Sequence, residues 1–292
     1  MPRTQPSGLK LRTSEPTHLY YLISLACNER CTKCHHWAVR PPPKPIDASL
    51  IAEAVNAMPW LEEICIVGGE PLLFRERIIQ ILKSIADHPC RTVLITNGVL
   101  LDLTFVALVA KLNIHLVVSI DTVDREHWQF VRGRDTWEQV LNNLRQARKL
   151  LRPDQLSVQS VLAQETKDHL AGVQLLCEEL GVHHSIQDYM AEGFNGEWTA
   201  LPSAEKKIPD HEPCHAAGRN LSIMPNGDVF TCFQQSWIPN CQSALGNLRS
   251  MPMLQMLSSH YMDSVQTAMR QCNLPCKVLK CNQKNNDHHA AK

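Results

Sequence analysis

Short apolar runs rich in β-branched residues alternate along the chain with longer segments of helical periodicity. The short runs predict six strands, at Tyr20–Ala26, Glu63–Val67, Thr92–Thr96, Leu116–Ile120, Leu156–Val161 and His184–Asp188. Apolar positions that recur every three or four residues predict helices between them, at Ser49–Ala57, Arg75–Ala86, Thr104–Leu112, Trp137–Leu150 and Lys167–Leu180. Asp47 or Ser49 is suited to cap the first helix, and Gly181 is suited to end the last.

This alternation is the pattern of parallel strands joined by crossover helices. We therefore predict an α/β fold in which six strand–helix units form a partial (β/α)6 TIM-like barrel of roughly 170 residues. In parallel barrels the chemistry lies at the carboxyl ends of the strands, where the loops converge. Polar residues that directly follow the strands are therefore the first candidates for a functional site.

The pattern changes in the last third of the chain. A segment rich in Gly, Pro and charge extends from Glu192 to Pro213, and Pro225-Asn226-Gly227 behind it is a turn signal between two short strands. A helix is predicted from Pro252 to about Met269. We predict four parts: an N-terminal extension at 1–17, the barrel at 18–195, a linker at 196–213 and a small domain at 214–292.

Composition narrows the class of protein. Lysine plus arginine equals aspartate plus glutamate at 29 each, so no net charge favours nucleic acid or an anionic membrane as a partner. No apolar run reaches the roughly 18 residues of a membrane span, and the N-terminus shows no signal peptide. We therefore expect a cytoplasmic protein whose twelve cysteines are ligands or reduced thiols rather than disulfides.

Three cysteines follow the first predicted strand in the segment Cys27-Asn-Glu-Arg-Cys31-Thr-Lys-Cys34. Thiolates are the usual protein ligands of iron–sulfur clusters, and a C-x3-C-x2-C loop holds three corners of a cubane without a fourth thiolate nearby. This spacing predicts a cluster with one iron open to a substrate or cofactor. A zinc knuckle and three unrelated cysteines are the alternatives.

Glycine-rich and polar segments follow the next three strands. Gly68-Gly69-Glu70-Pro71 follows the second strand, Asn97 the third, and Ser119 and Asp121 the fourth. Adjacent glycines leave backbone amides and carbonyls open to a ligand, although an ordinary turn is the alternative. The polar side chains either contact a ligand or bond neighbouring backbone groups. The loop after the fourth strand offers three candidate partners for a carboxylate, Arg125, Arg132 and Arg134, although most of them are expected to form a solvated basic loop.

The cysteine loop and the strand-end motifs together resemble the radical S-adenosylmethionine (radical SAM) superfamily. The resemblance implies a 4Fe–4S cluster on the three cysteines, whose open iron binds the amino and carboxylate groups of S-adenosylmethionine (AdoMet). It also implies that the backbone of Gly68-Gly69-Glu70-Pro71 receives the methionine amino group. Ser119 and Asp121 are then expected near the ribose, with Asn97 beside them.

One position departs from the pattern of this superfamily. Relatives often carry an aromatic or apolar residue just before the third cysteine, near the adenine, whereas this chain has Lys33. Trp37, or else His35 or His36, is expected to supply that contact. Among the arginines after the fourth strand, Arg132 is assigned to the cofactor.

A second cysteine set lies in the last eighty residues. Cys214, twelve residues, Gly227, four residues and Cys232 are similar to the opening of the SPASM/twitch extension found behind many radical SAM barrels. The resemblance implies one auxiliary 4Fe–4S cluster on Cys214, Cys232 and two of the last three cysteines, with structural zinc as the alternative. Cys241 and the thiol left over are hydrogen-atom donors or buried small side chains. The last three cysteines are Cys272, Cys276 and Cys281, of which Cys281 is our candidate donor.

The resemblance implies an enzyme that reductively cleaves AdoMet to a 5′-deoxyadenosyl radical, which takes a hydrogen atom from the substrate. The expected substrate is a natural-product sugar or short peptide, oxidised or epimerised at one carbon; cross-linking of a ribosomal peptide is the alternative. A flavodoxin or ferredoxin-type protein is expected to supply the electron. Nineteen residues precede Tyr20, which we expect to be too few for a leader-peptide-binding domain, although a separate partner protein could supply one. A non-catalytic electron-transfer protein is the alternative from another class.

Overall fold

The computed structural model describes residues 14–112, 114–189, 199, 214, 217–233, 235 and 240–271. Within these residues the strands form one nine-stranded sheet, whose first six strands are parallel and lie side by side in chain order. These six are β1 His18–Leu22, β2 Glu63–Val67, β3 Arg91–Thr96, β4 His115–Ser119, β5 Leu156–Leu162 and β6 His183–Asp188. The predicted α/β class with parallel strands is confirmed.

The first strand differs most from its prediction. It begins at His18 and ends at Leu22, whereas the apolar run continues to Ala26. The backbone beyond Leu22 leaves the ladder because it turns onto the chain that follows β2, where the Ser24 carbonyl accepts a hydrogen bond from Gly69. Hydrophobic periodicity carries no signal of this contact between distant segments.

Six helices accompany the parallel strands in the described residues. Asp47 stands at the start of the first helix without a capping side-chain hydrogen bond, and Gly181 ends the last in the predicted left-handed conformation, with φ 62°. The sixth helix begins at Leu170, three residues later than predicted. The helices are α1 Ala48–Asn56, α2 Arg75–Ser84, α3 Leu103–Lys111, α4 Arg125–Arg132, α5 Trp137–Leu150 and α6 Leu170–Leu180.

Helix α4 corrects the prediction of a loop after the fourth strand. Asp124 caps the helix by accepting a hydrogen bond from the His127 amide at 2.7 Å, and Gly133 ends it with φ 65° and ψ 11°. Trp128 and Val131 are fully buried, so the helix packs onto the barrel. The charged residues of this segment hid its helical periodicity, although the capping residues Asp124 and Gly133 were visible in the sequence.

The two faces of the sheet have different surroundings. The helix-covered face buries the main core, to which Leu19 of β1 and Ile64 of β2 belong. The opposite face lines the barrel interior, where Tyr20 stands beside Cys65, and Cys65 beside Val93, in register across three strands. The barrel interior is therefore apolar at this level.

The sheet continues past β1 into the C-terminal region. Strand β7 pairs with β1 in parallel, and β8 and β9 add antiparallel strands beyond it. Gly227, with φ 95°, makes the predicted turn between β7 and β8. The predicted linker lies mostly outside the described residues, with Thr199 alone described, and both of its boundaries fall outside them. The three strands are β7 Asn220–Ile223, β8 Asp228–Phe230 and β9 Gly246–Asn247.

The single helix predicted at Pro252–Met269 is two helices, α7 Met253–Leu257 and α8 His260–Gln271. They separate because the Ser259 hydroxyl accepts a hydrogen bond from the Met262 amide at 3.1 Å, which caps a new helix. In the part of the chain that the structure describes, no helix has the length and apolar character of a membrane span.

Candidate active site

The loop with the three cysteines rests on the glycine pair that follows β2. Gly69 donates its amide to the Ser24 carbonyl at 2.7 Å, and Glu70 donates to the Ala26 carbonyl at 2.8 Å. A Cβ on Gly69 would lie 2.2 Å from the Ala26 oxygen, and one on Gly68 2.7 Å from the Ser24 oxygen. The glycines are required because two backbones approach closely. The amides of Gly69 and Glu70 are thus not open to a ligand, in contrast to the expectation from the sequence.

The side chain of Glu70 joins the ends of β2 and β3. It is fully buried and accepts hydrogen bonds from the Thr96 hydroxyl at 2.7 Å, the Asn97 amide at 2.8 Å and the Leu72 amide at 2.9 Å. Burial raises the pKa of Glu70 to about 7, although these hydrogen bonds act in the opposite direction. The carboxyl group therefore fixes the strand ends, and Pro71 begins the short 3-10 helix behind it.

Asn97 connects the end of β3 to the cysteine loop. Its Nδ2 donates to Oδ1 of Asn28 at 2.7 Å and lies 3.8 Å from the sulfur of Cys27. Its Oδ1 accepts a hydrogen bond from the Val99 amide at 3.0 Å. The side chain thus reaches the loop, as its strand-end position predicted, and it holds the first cysteine in place.

The three thiols of the loop are largely enclosed by protein. Burial raises the pKa of Cys27 to about 11 and that of Cys31 to about 12, and it raises the pKa of Cys34 as well. Thiols that bind a metal do so as thiolates, so binding of a metal group releases their protons. Among the described residues no three His, Cys, Asp or Glu side chains converge as a single ion would require. A sulfur-only loop of this spacing fits a multi-iron cluster.

Two cations meet the carboxylate of Asp121, just beyond β4. Lys33 Nζ lies 2.5 Å and Arg132 Nη2 3.2 Å from Oδ2, and Oδ1 accepts a hydrogen bond from the Val161 amide at 2.8 Å. Burial by itself would raise the pKa of Asp121, but the two cations outweigh it and hold that pKa below its usual value. Ser119 joins through its carbonyl oxygen, which accepts a hydrogen bond from Arg132. The structure thus brings these predicted residues together.

Arg132 is buried at the end of α4 and is not part of a solvated loop. It is 2% exposed, and its guanidinium carbon lies 5.3 Å from the ring centroid of Trp128. Its Nε is buried and has no hydrogen-bond partner among the described residues. The neighbouring Arg125 has the fate expected of a solvated arginine, because it is exposed and pairs with Asp135 at 3.2 Å.

Glu29 is a residue of this site that the sequence prediction missed. It is fully buried, and its Oε1 accepts a hydrogen bond from the Thr136 hydroxyl at 2.7 Å. Its Oε2 lies 3.4 Å from Arg132 Nη1 and 3.7 Å from the sulfur of Cys31. A carboxylate between two predicted cluster ligands was the signal available in the sequence.

Trp37 lies against the cysteine loop. It is part of the 3-10 helix His36–Ala38, and its Nε1 donates to the Cys31 carbonyl at 3.2 Å. The Arg30 guanidinium lies 5.3 Å from the ring centroid, and the His35 ring meets it edge-on at 5.8 Å. The indole is therefore fixed beside the loop; its contact with adenine stays a prediction.

Three cysteines of the C-terminal region fall within the described residues. Cys214 is half-buried, and Cys232 and Cys241 are buried. Phe233 follows Cys232 and places its ring centroid 5.7 Å from that of Tyr20, on the interior face of β1. This region therefore meets the barrel interior. Three further predicted ligands lie outside the described residues: Cys272, Cys276 and Cys281.

Two family models match this chain. The model of the radical SAM superfamily matches residues 21–174, and the model of SPASM, an iron–sulfur cluster-binding domain, matches residues 214–282. The first match contains the cysteine loop and the strand ends described above. The second contains the C-terminal cysteine set.

Relatives of known sequence match part of this chain. A probable GTP 3′,8-cyclase of Archaeoglobus fulgidus is 30% identical over 134 residues, which are 45% of this chain and 44% of that protein. A probable GTP 3′,8-cyclase of Methanopyrus kandleri is 29% identical over 199 residues, 66% of this chain and 59% of that protein. The chain thus spans less than two thirds of the length of these relatives.

Solved structures with low sequence identity share the fold. SuiB of Streptococcus suis bound to S-adenosylmethionine has a TM-score of 0.72 at 16% identity, covering 87% of this chain and 68% of that one. Native anSMEcpe with AdoMet and the Cp18Cys peptide has a TM-score of 0.64 at 16% identity, covering 91% and 88%. BtrN in complex with AdoMet and 2-DOIA has a TM-score of 0.53 at 14% identity, covering 88% and 87%.

Proposed function

The chain belongs to the radical SAM superfamily and carries a SPASM domain, and we propose that it oxidises or epimerises one carbon of a small-molecule or short-peptide substrate. Its cofactors are 4Fe–4S clusters and AdoMet. When bound, the reduced cluster supplies the electron that cleaves AdoMet to the 5′-deoxyadenosyl radical, which abstracts hydrogen from the substrate. The observation that carries the proposal is the cysteine loop, which rests on the carboxyl ends of neighbouring strands.

The residues around the loop have separate tasks in this proposal. Cys27, Cys31 and Cys34 hold the cluster. The turn at Gly68-Gly69-Glu70-Pro71 offers carbonyl oxygens to the AdoMet ammonium, because that group donates hydrogen bonds and needs acceptors. The amides at residues 69 and 70 bond the loop. Arg132 is assigned to the AdoMet carboxylate, with Lys33 beside it, and both cations also pair with Asp121.

The other predicted cofactor contacts belong to the strand ends and to the indole beside the loop. Ser119 and Asp121 are assigned to the ribose side, with Asn97 next to them, and Trp37 to the adenine. Asn97 follows β3, Ser119 ends β4, and Trp37 bonds the cysteine loop, and these positions support the assignment. Holding AdoMet and substrate carbon together is the barrel's contribution to the rate.

The C-terminal cysteines supply the second half of the proposed reaction. Cys214 and Cys232, with two of three later cysteines, would hold the auxiliary cluster. For oxidation, the group that these cysteines would hold would supply a one-electron acceptor for the substrate radical, which would also lose a proton. In epimerisation a thiol, Cys241 or Cys281, instead returns a hydrogen atom to the opposite face of the carbon. Oxidation ranks first because a full auxiliary ligand set is present.

The substrate class is supported by the ligands of proteins that share this fold. SuiB has been seen with the precursor peptide SuiA, and BtrN with 2-DOIA, so the fold accepts peptide and small-molecule ligands. The balanced charge of the chain disfavours a phosphate-rich substrate. Cross-linking of a ribosomal peptide stays the alternative within radical chemistry, and electron transfer without AdoMet cleavage is the alternative from another class.

Anaerobic incubation of the reconstituted protein with AdoMet and dithionite tests the chemistry. We expect 5′-deoxyadenosine from the wild type and none from the triple variant Cys27→Ala, Cys31→Ala, Cys34→Ala, which should retain about four iron atoms per chain. Cys90→Ala is the matched control, since that cysteine precedes β3 at the opposite end of the sheet. The assignment of the AdoMet-binding cluster is wrong if the triple variant still forms 5′-deoxyadenosine.

Turnover in deuterated water separates the two outcomes once a substrate is found. Epimerisation predicts deuterium at the product carbon, and Cys241→Ala or Cys281→Ala should then stop product formation while AdoMet cleavage persists. Oxidation predicts an unlabelled product that has lost two hydrogen atoms. The neighbouring genes would direct the choice of test compounds: a short precursor peptide encoded there would indicate a peptide substrate, and sugar-modifying enzymes a sugar.

A further inference from the structure

Four alternating charges connect the cysteine loop with the residues that follow β4. Lys33, Asp121, Arg132 and Glu29 follow one another as cation, anion, cation and anion, with nitrogen–oxygen distances of 2.5, 3.2 and 3.4 Å. The two carboxylates are fully buried and the guanidinium is 2% exposed. Burying a lone charge is costly, whereas alternating neighbours compensate one another. Removing one member therefore leaves its neighbour with uncompensated charge.

Two members of this series flank the sulfur of Cys31. Arg132 Nη1 lies 4.0 Å from Sγ, and Glu29 Oε2 lies 3.7 Å from it. In a buried setting charges at such distances act strongly on a sulfur that shares the charge of a cluster. Net charge and hydrogen bonds at sulfur set cluster potentials, so the cation favours reduction and the anion opposes it.

Glu29 is fixed in this position from several sides. The Thr136 hydroxyl donates to Oε1 at 2.7 Å, and Trp128 Nε1 donates to that hydroxyl at 3.0 Å. The Arg30 amide next to it donates to the Arg132 carbonyl at 3.0 Å. The carboxylate cannot leave the Cys31 sulfur without losing these contacts with the segment 128–136.

We propose that Glu29 is a positioning residue that lowers the reduction potential of the cluster on the cysteine loop, through its own charge and by compensating the charge of Arg132. The inference rests on the proposed function, because it requires a cluster at that loop. A lower potential makes the cluster a stronger reductant toward AdoMet. The buried carboxylate thereby offsets the guanidinium that the same sulfur faces.

Glu29→Gln tests the role, since it keeps the size of the side chain and removes its charge. The readout is the midpoint potential from an anaerobic redox titration followed by electron paramagnetic resonance, using the cluster signal that changes when AdoMet is added. We expect the midpoint to move to a more positive value. Glu126→Gln, an exposed carboxylate on α4, should leave it unchanged.

Thr136→Val supplies a second measurement. It keeps the carboxyl group and removes the hydroxyl that holds its charged form beside Cys31, so the midpoint should move in the same direction as in Glu29→Gln, by a smaller amount. It decides the question if Glu29→Gln does not load a cluster. If the variants bind the cluster and keep the wild-type midpoint potential, the role of Glu29 is wrong, but the proposed function still stands. A wild-type protein without an AdoMet-responsive cluster overturns the proposed function and this role together.

Discussion

Glu70 and Glu29 are both fully buried carboxyl groups, yet their partners differ. Glu29 faces the Arg132 guanidinium, whereas Glu70 has only uncharged donors: a hydroxyl and two backbone amides. Uncharged donors do not fully offset the loss of water around an ionised carboxylate. The pKa of Glu70 is accordingly raised, to about 7. Glu70 of the Gly-Gly-Glu-Pro motif thus makes the free energy of unfolding depend on pH.

We expect the free energy of unfolding to fall between about pH 4.5 and 7 through Glu70. The folded pKa lies above the ordinary value of 4.5, so the folded state binds the proton more tightly and loses stability as pH rises through this window. The full effect is of the order of 3 kcal/mol. Glu70→Gln should remove this slope in urea unfolding followed across the window, whereas Glu126→Gln should keep it. Parallel wild-type and Glu70→Gln curves would contradict the assignment.

At the level of elements, helix α4 links the barrel to the cysteine loop. The carbonyl oxygens of Val131 and Arg132 accept hydrogen bonds from the Thr32 and Arg30 amides at 3.2 and 3.0 Å. Gly133, which ends the helix, approaches the loop so closely that a Cβ would lie 2.4 Å from the Arg30 carbonyl oxygen. The helix end and the loop therefore hold each other's shape.

Gly133→Ala should weaken both folding and iron binding. Gly181→Ala is the matched control, because Gly181 also ends a helix in the left-handed region, but the nearest atom to its Cβ in the described residues would be Arg148 Nη2 at 3.9 Å. Both variants should lose about 1 to 2 kcal/mol from the backbone conformation, and Gly133→Ala should lose more from the clash. Thermal unfolding and iron content per chain measure the difference. Equal losses of stability and iron in the two variants would show that the contact has no role.

At the scale of the whole molecule, the C-terminal region is part of the barrel's sheet. Ile223 of β7 pairs with Tyr21 of β1, and both are fully buried. They belong to one core cluster that also includes Ile64 of β2 and Met262 of α8. A shared ladder and a shared core predict that the described parts of barrel and C-terminal region unfold together.

Ile223→Ala should therefore destabilise strands far from the substitution. We expect a loss of about 2 to 5 kcal/mol, with faster amide hydrogen exchange in β2 and β3 as well as in β7 and β8. Ile186→Ala, on β6 at the opposite edge of the sheet, is the control, because that side chain is 42% exposed and should change little. Faster exchange confined to β7 and β8 would mean that the two regions unfold separately.

Local sequence patterns determined the parts of this protein that depend on neighbours in the chain. Strand and helix periodicity predicted the six parallel strands and most helices, because alternation and the 3.6-residue repeat are properties of contiguous residues. Cysteine spacing predicted both cluster regions for the same reason, since the C-x3-C-x2-C loop is a local arrangement. The turn at Gly227 and the cap at Gly181 follow from the same local chemistry.

The tertiary structure alone decided which charges meet and which backbone groups stay open. Glu29 and Arg132 are 103 positions apart in the chain, and Lys33 and Asp121 are 88 apart, so no local pattern pairs them. The amides after Gly68 were expected to be open to a ligand, but they bond a loop that only folding brings there. Burial strengthens these charge interactions, because the fold excludes water and so lowers the local dielectric constant.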